Sequence, residues 1–212
     1  MLAIQAVRTG GPDVLEAVDL PLPSPAAGQI LIRHQAVGLN YIDTYHRSGL
    51  YPIKTPTVIG LEAAGVVEAV GDGVTRFQVG DRVAYNGTMG AYAEAAVVSA
   101  DRAVKVPEGV SLEVAAAALL KGMTAEFLVL RCFHVKLGHT VLVHAAAGGV
   151  GQILVQWCKA LCATVIATVG SEAKAKIARD LGADHVIDYS HEDVAARVAE
   201  ITGGQGVAVV YD

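Results

Sequence analysis

Charge is sparse in this chain, aromatic residues are sparser, and cysteine is confined to one stretch. Charged residues make up 17% of the 212 and aromatic ones 5%, where an average soluble domain carries about 25% charged. The 16 Lys and Arg are outnumbered by 21 Asp and Glu. No basic run occurs, which argues against nucleic acid, because phosphate contacts need clustered cations. A membrane-spanning helix needs roughly 20 mostly apolar residues. The longest apolar stretch, Thr140 to Cys158, is interrupted by His144, Gln152 and Gln156. The opening MLAIQAVRTGG lacks the charged and long apolar segments of a secretory leader. No Cys precedes Cys132, and the odd set Cys132, Cys158 and Cys162 suggests reduced thiols. The expectation is a cytoplasmic protein that engages neither membrane nor nucleic acid.

Hydrophobic residues, by contrast, reach 53%, with 23 Gly, a composition suited to sheets covered by helices on both faces. The first half reads as short strands: Leu2 to Ala6, Leu31 to Val37, Ala63 to Val70, Arg82 to Tyr85, Ala91 to Val98 and Ala103 to Val106. Gly or Pro punctuates them at Gly38, Gly60, Gly71, Gly80, Gly87 and Pro107, as in a small barrel or sandwich. Pro21 to Pro25 is an extended connection. After Pro107 the texture changes. Ser111 is placed as a helix N-cap with Glu113 in the first turn; one helix then covers Val114 to Leu120 and a second Thr124 to Phe133.

From Thr140 strand and helix alternate. Strands are expected at Thr140–Ala145, Thr164–Thr168, His185–Tyr189 and Val207–Tyr211, and helices at Gly149–Leu161, Glu172–Leu181 and His191–Thr202. Ser190 and Asp193 are read as a capping box for the last. Such alternation implies a parallel sheet with right-handed crossovers. A six-stranded dinucleotide fold needs two βαβαβ halves, and about four strands are present. With Val207 to Tyr211 as an inner strand, the expectation is that further chain follows Asp212.

The strongest chemical signal is Val141-Leu142-Val143-His144-Ala145-Ala146-Ala147-Gly148-Gly149-Val150-Gly151. Against G-x-G-x-x-G it reads Ala146-x-Gly148-x-x-Gly151, with Ala in the first glycine position. Gly148 lets backbone approach a pyrophosphate, and Gly151 lets helix pack on strand. The free N–H groups at the helix start, Gly149 and Val150 included, favour phosphate. The bland reading is a tight turn with no ligand. A strand before and a helix after, within a βαβ unit, favour the ligand.

A site for an unphosphorylated ribose usually has Asp or Glu about 20 residues further on. Here the second strand runs into Val169-Gly170-Ser171, and the first acid, Glu172, follows the turn. Gly170 leaves space, Ser171 can hydrogen-bond, and Lys174 supplies positive charge to a 2′-phosphate. NADPH is therefore the expected cofactor, with Tyr189 flanking the adenosine ribose. The plainer roles are a Ser171 helix cap, a solvated Lys174 and a core-rim Tyr189.

No set of Cys, His and carboxylate falls at metal-ligand spacing. Cys158 and Cys162, four apart on one helix, read as small buried hydrophobes sharing a face. His34, His46, His134, His139, His185 and His191 are expected at the surface, and His144 is expected to make structural hydrogen bonds. A Gly is commoner than Cys where Cys162 ends its helix, so a left-handed turn there would be strained.

Several runs carry a family resemblance: Val37-Gly38-Leu39-Asn40-Tyr41-Ile42-Asp43-Thr44-Tyr45, Ser48-Gly49-Leu50-Tyr51-Pro52, Gly60-Leu61-Glu62-Ala63-Ala64-Gly65, Gly80-Asp81-Arg82-Val83, Leu120-Lys121-Gly122-Met123-Thr124-Ala125, and the glycine turn. Together they are similar to the zinc-free quinone oxidoreductase (zeta-crystallin-like) family of the medium-chain dehydrogenase/reductase superfamily. The resemblance implies an α/β chain with a GroES-like, β-rich catalytic domain at 1–121. A Rossmann-type NADP-binding domain then follows at 122–212, incomplete at its C-terminus. Where zinc alcohol dehydrogenases of the superfamily carry a catalytic Cys and a His in G-H-E, this chain has Asn40 and Leu61. The four-Cys structural zinc lobe is also missing.

The resemblance places Asn40, Asp43, Tyr45 and Tyr51 around the acceptor, and Tyr41 and Thr124 against the cofactor. Asn40 and Tyr51 would hydrogen-bond the developing oxyanion, and Tyr45 would do the same or stack on a flat substrate. For Asp43 a helix-start carboxylate is an equal reading. The implied reaction is metal-free hydride transfer from NADPH to a quinone. The alternatives are reduction of the C=C bond of 2-alkenals or other enones, or a crystallin-like protein that binds NADPH without turnover. Some relatives bind RNA, against which the acidic balance argues. A homodimer joined through Rossmann sheets is the implied assembly.

Overall fold

Alternation of apolar and polar residues from Leu2 onward makes β1 (Leu2–Ala6), which pairs antiparallel with β2 (Leu15–Asp19) after a 3-10 turn at Pro12–Val14. The computed structural model describes all residues, Met1–Asp212, and divides into two compact units, Met1–Leu120 and Lys121–Asp212. In the first unit β1 also pairs with β4 (Thr57–Val58). A second sheet is built on β3 (Gln29–Gly38), with β5 (Glu62–Val70), β6 (Arg82–Asn86), β7 (Ala95–Ser99) and β8 (Ala103–Lys105) in the order β7-β3-β5-β6-β8. Ile30, Ile32, Ala63, Val67, Val83, Tyr85 and Val98 from its strands bury one core. On the other face Ala64 and Ala84 pack against Leu112 and Ala116. That period of two is why these strands were readable.

Several features depart from expectation. The strand expected from Ala91 shortens to β7, because Ala91–Glu94 bonds elsewhere: Tyr92 N–H donates to Ile59 O at 2.9 Å, and Glu94 N–H to Leu2 O at 3.0 Å. β2 was not anticipated. Nor was α1 (Tyr41–Ser48), an eight-residue helix whose aromatic and β-branched content hides it. α2 (Leu112–Glu126) starts under Ser111, whose Oγ accepts the Val114 N–H at 3.2 Å. It does not break at Leu120, as one helical Gly costs only about 1 kcal/mol. In place of a second helix from Thr124, a π-helical stretch follows at Phe127–Cys132.

The second unit is a parallel sheet of β9 (Thr140–Val143), β10 (Thr164–Val169), β11 (His185–Asp188) and β12 (Val209–Tyr211) in the order β11-β10-β9-β12. Its central strands, β9 and β10, are buried on both faces. Val141, Val143, Val165 and Ala167 join Leu154, Val155 and Cys158 of α3 (Gly149–Ala160). Leu142, Ile166 and Ile187 face the other way, toward Val194, Val198 and Ile201 on α5 (Val194–Ile201). α4 (Glu172–Asp180) links β10 to β11.

Here too some expectations are corrected. α5 is capped by Asp193, whose carboxylate accepts the Ala196 N–H at 2.8 Å. Ser190 is not part of that cap, since its N–H goes to Asp188 Oδ1 in a preceding turn. β12 pairs with β9. Cys162 lies beyond α3, exposed, while Cys158 is buried, so the two share no face. The Cys162 φ is +60°, so the chain accepts the left-handed turn without a Gly. No helix is long and apolar enough to cross a membrane.

Candidate functional site

The glycine turn is assembled by backbone bonds. β9 ends at Val143, one residue before the histidine expected inside it. The His144 N–H donates to Tyr211 O at 2.8 Å, and its Nδ1 lies 2.8 Å from Thr168 Oγ1, the structural bonding expected of it. Ala145 takes a φ of +48°, and the Ala146 N–H crosses to Thr168 O at 3.1 Å. Gly148 is the N-cap of α3, and the first amide of the intrahelical ladder is that of Gln152, donating to Gly148 O at 2.9 Å. The N–H groups of Gly149, Val150 and Gly151 thus head the helix outside that ladder, as anion sites require. A Cβ on Gly151 would stand 2.4 Å from Ala145 O and 2.7 Å from Ala146 Cα. Helix and turn touch too closely for any side chain there.

Beside the turn lies a pocket of about 120 Å3 lined by Ala145, Ala147, Gly148, Val169, Gly170, Lys174 and Tyr189. The ring of Tyr189 covers Gly170, where a Cβ would come within 2.5 Å of the Tyr hydroxyl. Ser171 caps α4, its Oγ accepting the Lys174 N–H at 3.4 Å. Lys174 is the sole charged residue of the lining. Lys176 pairs with Asp180 at 2.6 Å and Arg179 with Glu172 at 2.6 Å, while Lys174 lines the pocket. Thr124 sits in the last turn of α2, not at a helix start, and is not among the lining residues.

The first unit gathers the other predicted residues around α1. Asn40 and Asp43 are 7% and 3% exposed. Asp43 Oδ2 accepts the Asn40 N–H at 2.9 Å and the Tyr92 hydroxyl at 2.7 Å. Those are the bonds of a helix-start carboxylate, with Oδ1 buried and unpartnered. Burial, followed by the bond to Asp43, pushes the Tyr92 phenol well above its ordinary range. The Asn40 side chain donates from Nδ2 to Glu62 Oε2 at 3.0 Å. On the outer side Tyr41, Tyr45 and Tyr51 form a chain of rings with centroids 5.3 Å apart at each step. Such tilted and edge-on contacts suit flat aromatic partners. Tyr41 and Tyr51 are 75% and 47% exposed.

The matching family models are the alcohol dehydrogenase GroES-like domain over residues 26–108 and the zinc-binding dehydrogenase model over residues 149–212. A quinone oxidoreductase of Pseudomonas aeruginosa is 51% identical over 99% of this chain and 65% of its own. A 2-haloacrylate reductase of a Burkholderia species is 48% identical over 97% and 64%. The crystal structure of the Escherichia coli quinone oxidoreductase complexed with NADPH superposes with a TM-score of 0.98 at 46% identity, covering all of this chain and 66% of that one. The chain belongs to the quinone oxidoreductase family of the medium-chain dehydrogenase/reductases. It spans about two thirds of the length of these relatives.

As a quinone oxidoreductase family member, the chain carries the GroES-like and Rossmann-like parts in the expected order. No three of its His, Cys, Asp or Glu side chains come together as a metal-holding group. Burial pushes the Cys158 thiol up to about 11, as befits a small core residue. His34 is not a surface residue. Its Nδ1 lies 2.7 Å from Ala93 O and its Nε2 3.1 Å from the Tyr85 hydroxyl, and burial pushes its pKa down. His46 and His139 are half-buried, whereas His134, His185 and His191 are exposed as expected. Sequence reasoning passed over Glu62 and Tyr92 as functional residues. A glutamate opening the apolar run Ala63-Ala64-Gly65-Val66-Val67 was the available signal for the first.

Proposed function

We propose that the whole protein reduces quinones with NADPH by direct hydride transfer, without a metal. The observation that carries the cofactor choice is the pocket beside the glycine turn, in which Lys174 is the only charge and no carboxylate competes for a ribose hydroxyl. A 2′-phosphate fits that arrangement through a charge-assisted hydrogen bond from Lys174. The N–H groups of Gly149, Val150 and Gly151 would take the pyrophosphate, and Gly170, Ser171 and Tyr189 would frame the ribose. NADPH, when bound, supplies the hydride.

On this reading the protein has to orient the acceptor and exclude water. The exposed ring chain Tyr41–Tyr45–Tyr51 suits a flat acceptor, and Tyr51 together with Asn40 would hydrogen-bond its oxygen as charge develops there. Asp43 fixes the start of α1, and a direct role in proton transfer is not needed. Tyr41 and Thr124 are assigned to the nicotinamide half by family likeness. Three free thiols support a cytoplasmic setting, and family habit supports a homodimer.

The second reading, reduction of an activated C=C bond, is favoured by the 2-haloacrylate reductase relative. The test is NADPH oxidation by the full-length protein with 1,4-benzoquinone and with a 2-alkenal side by side. Turnover of the quinone alone supports the proposal, and preference for the alkenal moves the function to enone reduction. Lys174→Ala should raise the NADPH KM by about tenfold while leaving NADH unaffected. Equal effects on both cofactors would remove Lys174 from the 2′-phosphate site.

A further inference from the structure

Glu62 is fully buried at the start of β5, and an isolated buried carboxylate is heavily disfavoured unless its oxygens are met by donors. Both are met. Oε1 accepts the Leu120 N–H of α2 at 2.7 Å, and Oε2 accepts Asn40 Nδ2 at 3.0 Å. Room for the group is made by Gly38, where a Cβ would lie 2.3 Å from Oε2. We propose that Glu62 is a positioning residue for the reduction: by accepting one Nδ2 hydrogen, its carboxylate fixes the orientation of the Asn40 side-chain amide and with it the direction in which the other Nδ2 hydrogen donates. The inference rests on the reading of Asn40 as an acceptor contact.

The choice of glutamate over glutamine is what gives the arrangement its sense. Two N–H donors converge on residue 62, and only a carboxylate accepts at both oxygens; glutamine accepts at one and donates at the other. In Glu62→Gln, either the Leu120 N–H faces an N–H, or Asn40 must turn its amide over to offer Oδ1 inward. The second outcome turns the Nδ2 hydrogens away from where Glu62 had aimed them and withdraws Oδ1 from the capping box in which it accepts the Asp43 N–H. The Asn40 N–H stays bonded to Asp43 Oδ2, so half of the capping box remains when the amide turns.

The test uses the full-length enzyme with NADPH and 1,4-benzoquinone, comparing wild type, Glu62→Gln, Asn40→Ala and the double variant. Glu62→Gln should lower kcat/KM by tenfold or more with NADPH affinity unchanged. The double variant should be no worse than Asn40→Ala, since residues acting through one contact are not additive. Losses that multiply, or a Glu62→Gln enzyme that melts lower but keeps kcat/KM within about twofold, would overturn the proposal. So would an Asn40→Ala enzyme with undiminished turnover. Failure of the wild type itself to turn over quinone would instead sink the functional reading. Should Glu62→Gln not fold, Asn40→Asp sets two carboxyl groups in contact, and one is then forced to keep a proton. Its kcat/KM should fall as pH rises through a limb the wild type lacks. A profile matching the wild type would refute the contact.

Discussion

Replacing Gly151 by Ala tests how tightly the phosphate turn is built. The new methyl would stand 2.4 Å from Ala145 O and 2.7 Å from Ala146 Cα, and both obstacles are backbone, with no rotamer to yield. Forcing a methylene-sized group into packed structure costs about 1–3 kcal/mol. The helical position of residue 151 returns up to about 1 kcal/mol, because Ala is the better helix former. The net expectation is a loss of about 1–2 kcal/mol. With a urea dependence of about 2 kcal/mol per molar, the midpoint should fall by roughly 0.5–1 M. Trp157, the only tryptophan, lies on α3 and packs against the core of the second unit, so its fluorescence reports this unit. NADPH titration should weaken in step, since opening the turn moves the amides of Gly149 and Val150. Gly122→Ala is the control: it too is helical, nothing lies within 4 Å of its Cβ position, and it should gain about 0.5–1 kcal/mol. A Gly151→Ala midpoint at or above the wild-type value would refute the close-packing argument.

At Gly170 the obstacle is instead the far end of the Tyr189 side chain, 2.5 Å away. Gly170→Ala should therefore leave the unfolding free energy within about 0.5 kcal/mol of wild type while raising the NADPH Kd severalfold; a stability loss as large as that of Gly151→Ala would contradict this. Cys162 sits at φ +60°, where a Cβ costs about 1–2 kcal/mol. Cys162→Gly should raise the melting temperature, and a lower one would mean the exposed thiol contributes contacts that outweigh the strain. Burial pushes the Asp184 carboxyl up, but the Lys159 ammonium at 2.7 Å, the Val165 N–H at 2.7 Å and the Lys159 charge together hold it below 3.8. A depressed carboxyl stabilises the fold above 3.8, and that contribution is lost as pH falls through the folded value. Asp184→Asn should cost about 1 kcal/mol at pH 7, discounted for partial exposure, and the gap to wild type should narrow as pH falls below 3.8 and close below the folded value. A gap that does not narrow at all as pH falls below 3.8 would refute the charge-based account.

The second unit was legible because its strands are apolar on both sides and its helices announce themselves by caps and by Gly151. Errors there were of a residue or two, except at α5. The Asp188 carboxylate takes the Ser190 N–H in a turn of its own, which leaves Asp193 alone as the cap in place of the expected Ser190–Asp193 box. In the first unit the strands were legible from their period of two, and α1 was not. Its Tyr-Ile-Asp-Thr-Tyr content disfavours helix locally, and what holds it is Asp43 on the Asn40 N–H with Tyr92 arriving from far along the chain. The same distance hid Glu62. Its partners, Asn40 and Leu120, lie 22 and 58 residues away, a pairing that no spacing rule encodes. Asn40, Asp43, Tyr45 and Tyr51 were named through likeness to a family, and the bonds joining them are visible only in three dimensions.

The two candidate sites, one in each unit, also differ in how much chain each one depends on. The glycine turn draws its walls mainly from the stretch between Val143 and Gly170, with Lys174 and Tyr189 close behind and one tie to Tyr211. Asn40 is held by residues from four separated places: Asp43, Glu62 and, through them, Tyr92 and Leu120. One is therefore a modular device, which tolerates insertion or divergence elsewhere in the chain. The other is a keystone arrangement, which a change in any one of β5, α2 or the Tyr92 segment disturbs at once. Evolutionary drift in this protein should find the glycine turn insulated within the second unit and the Asn40 cluster entangled with much of the first.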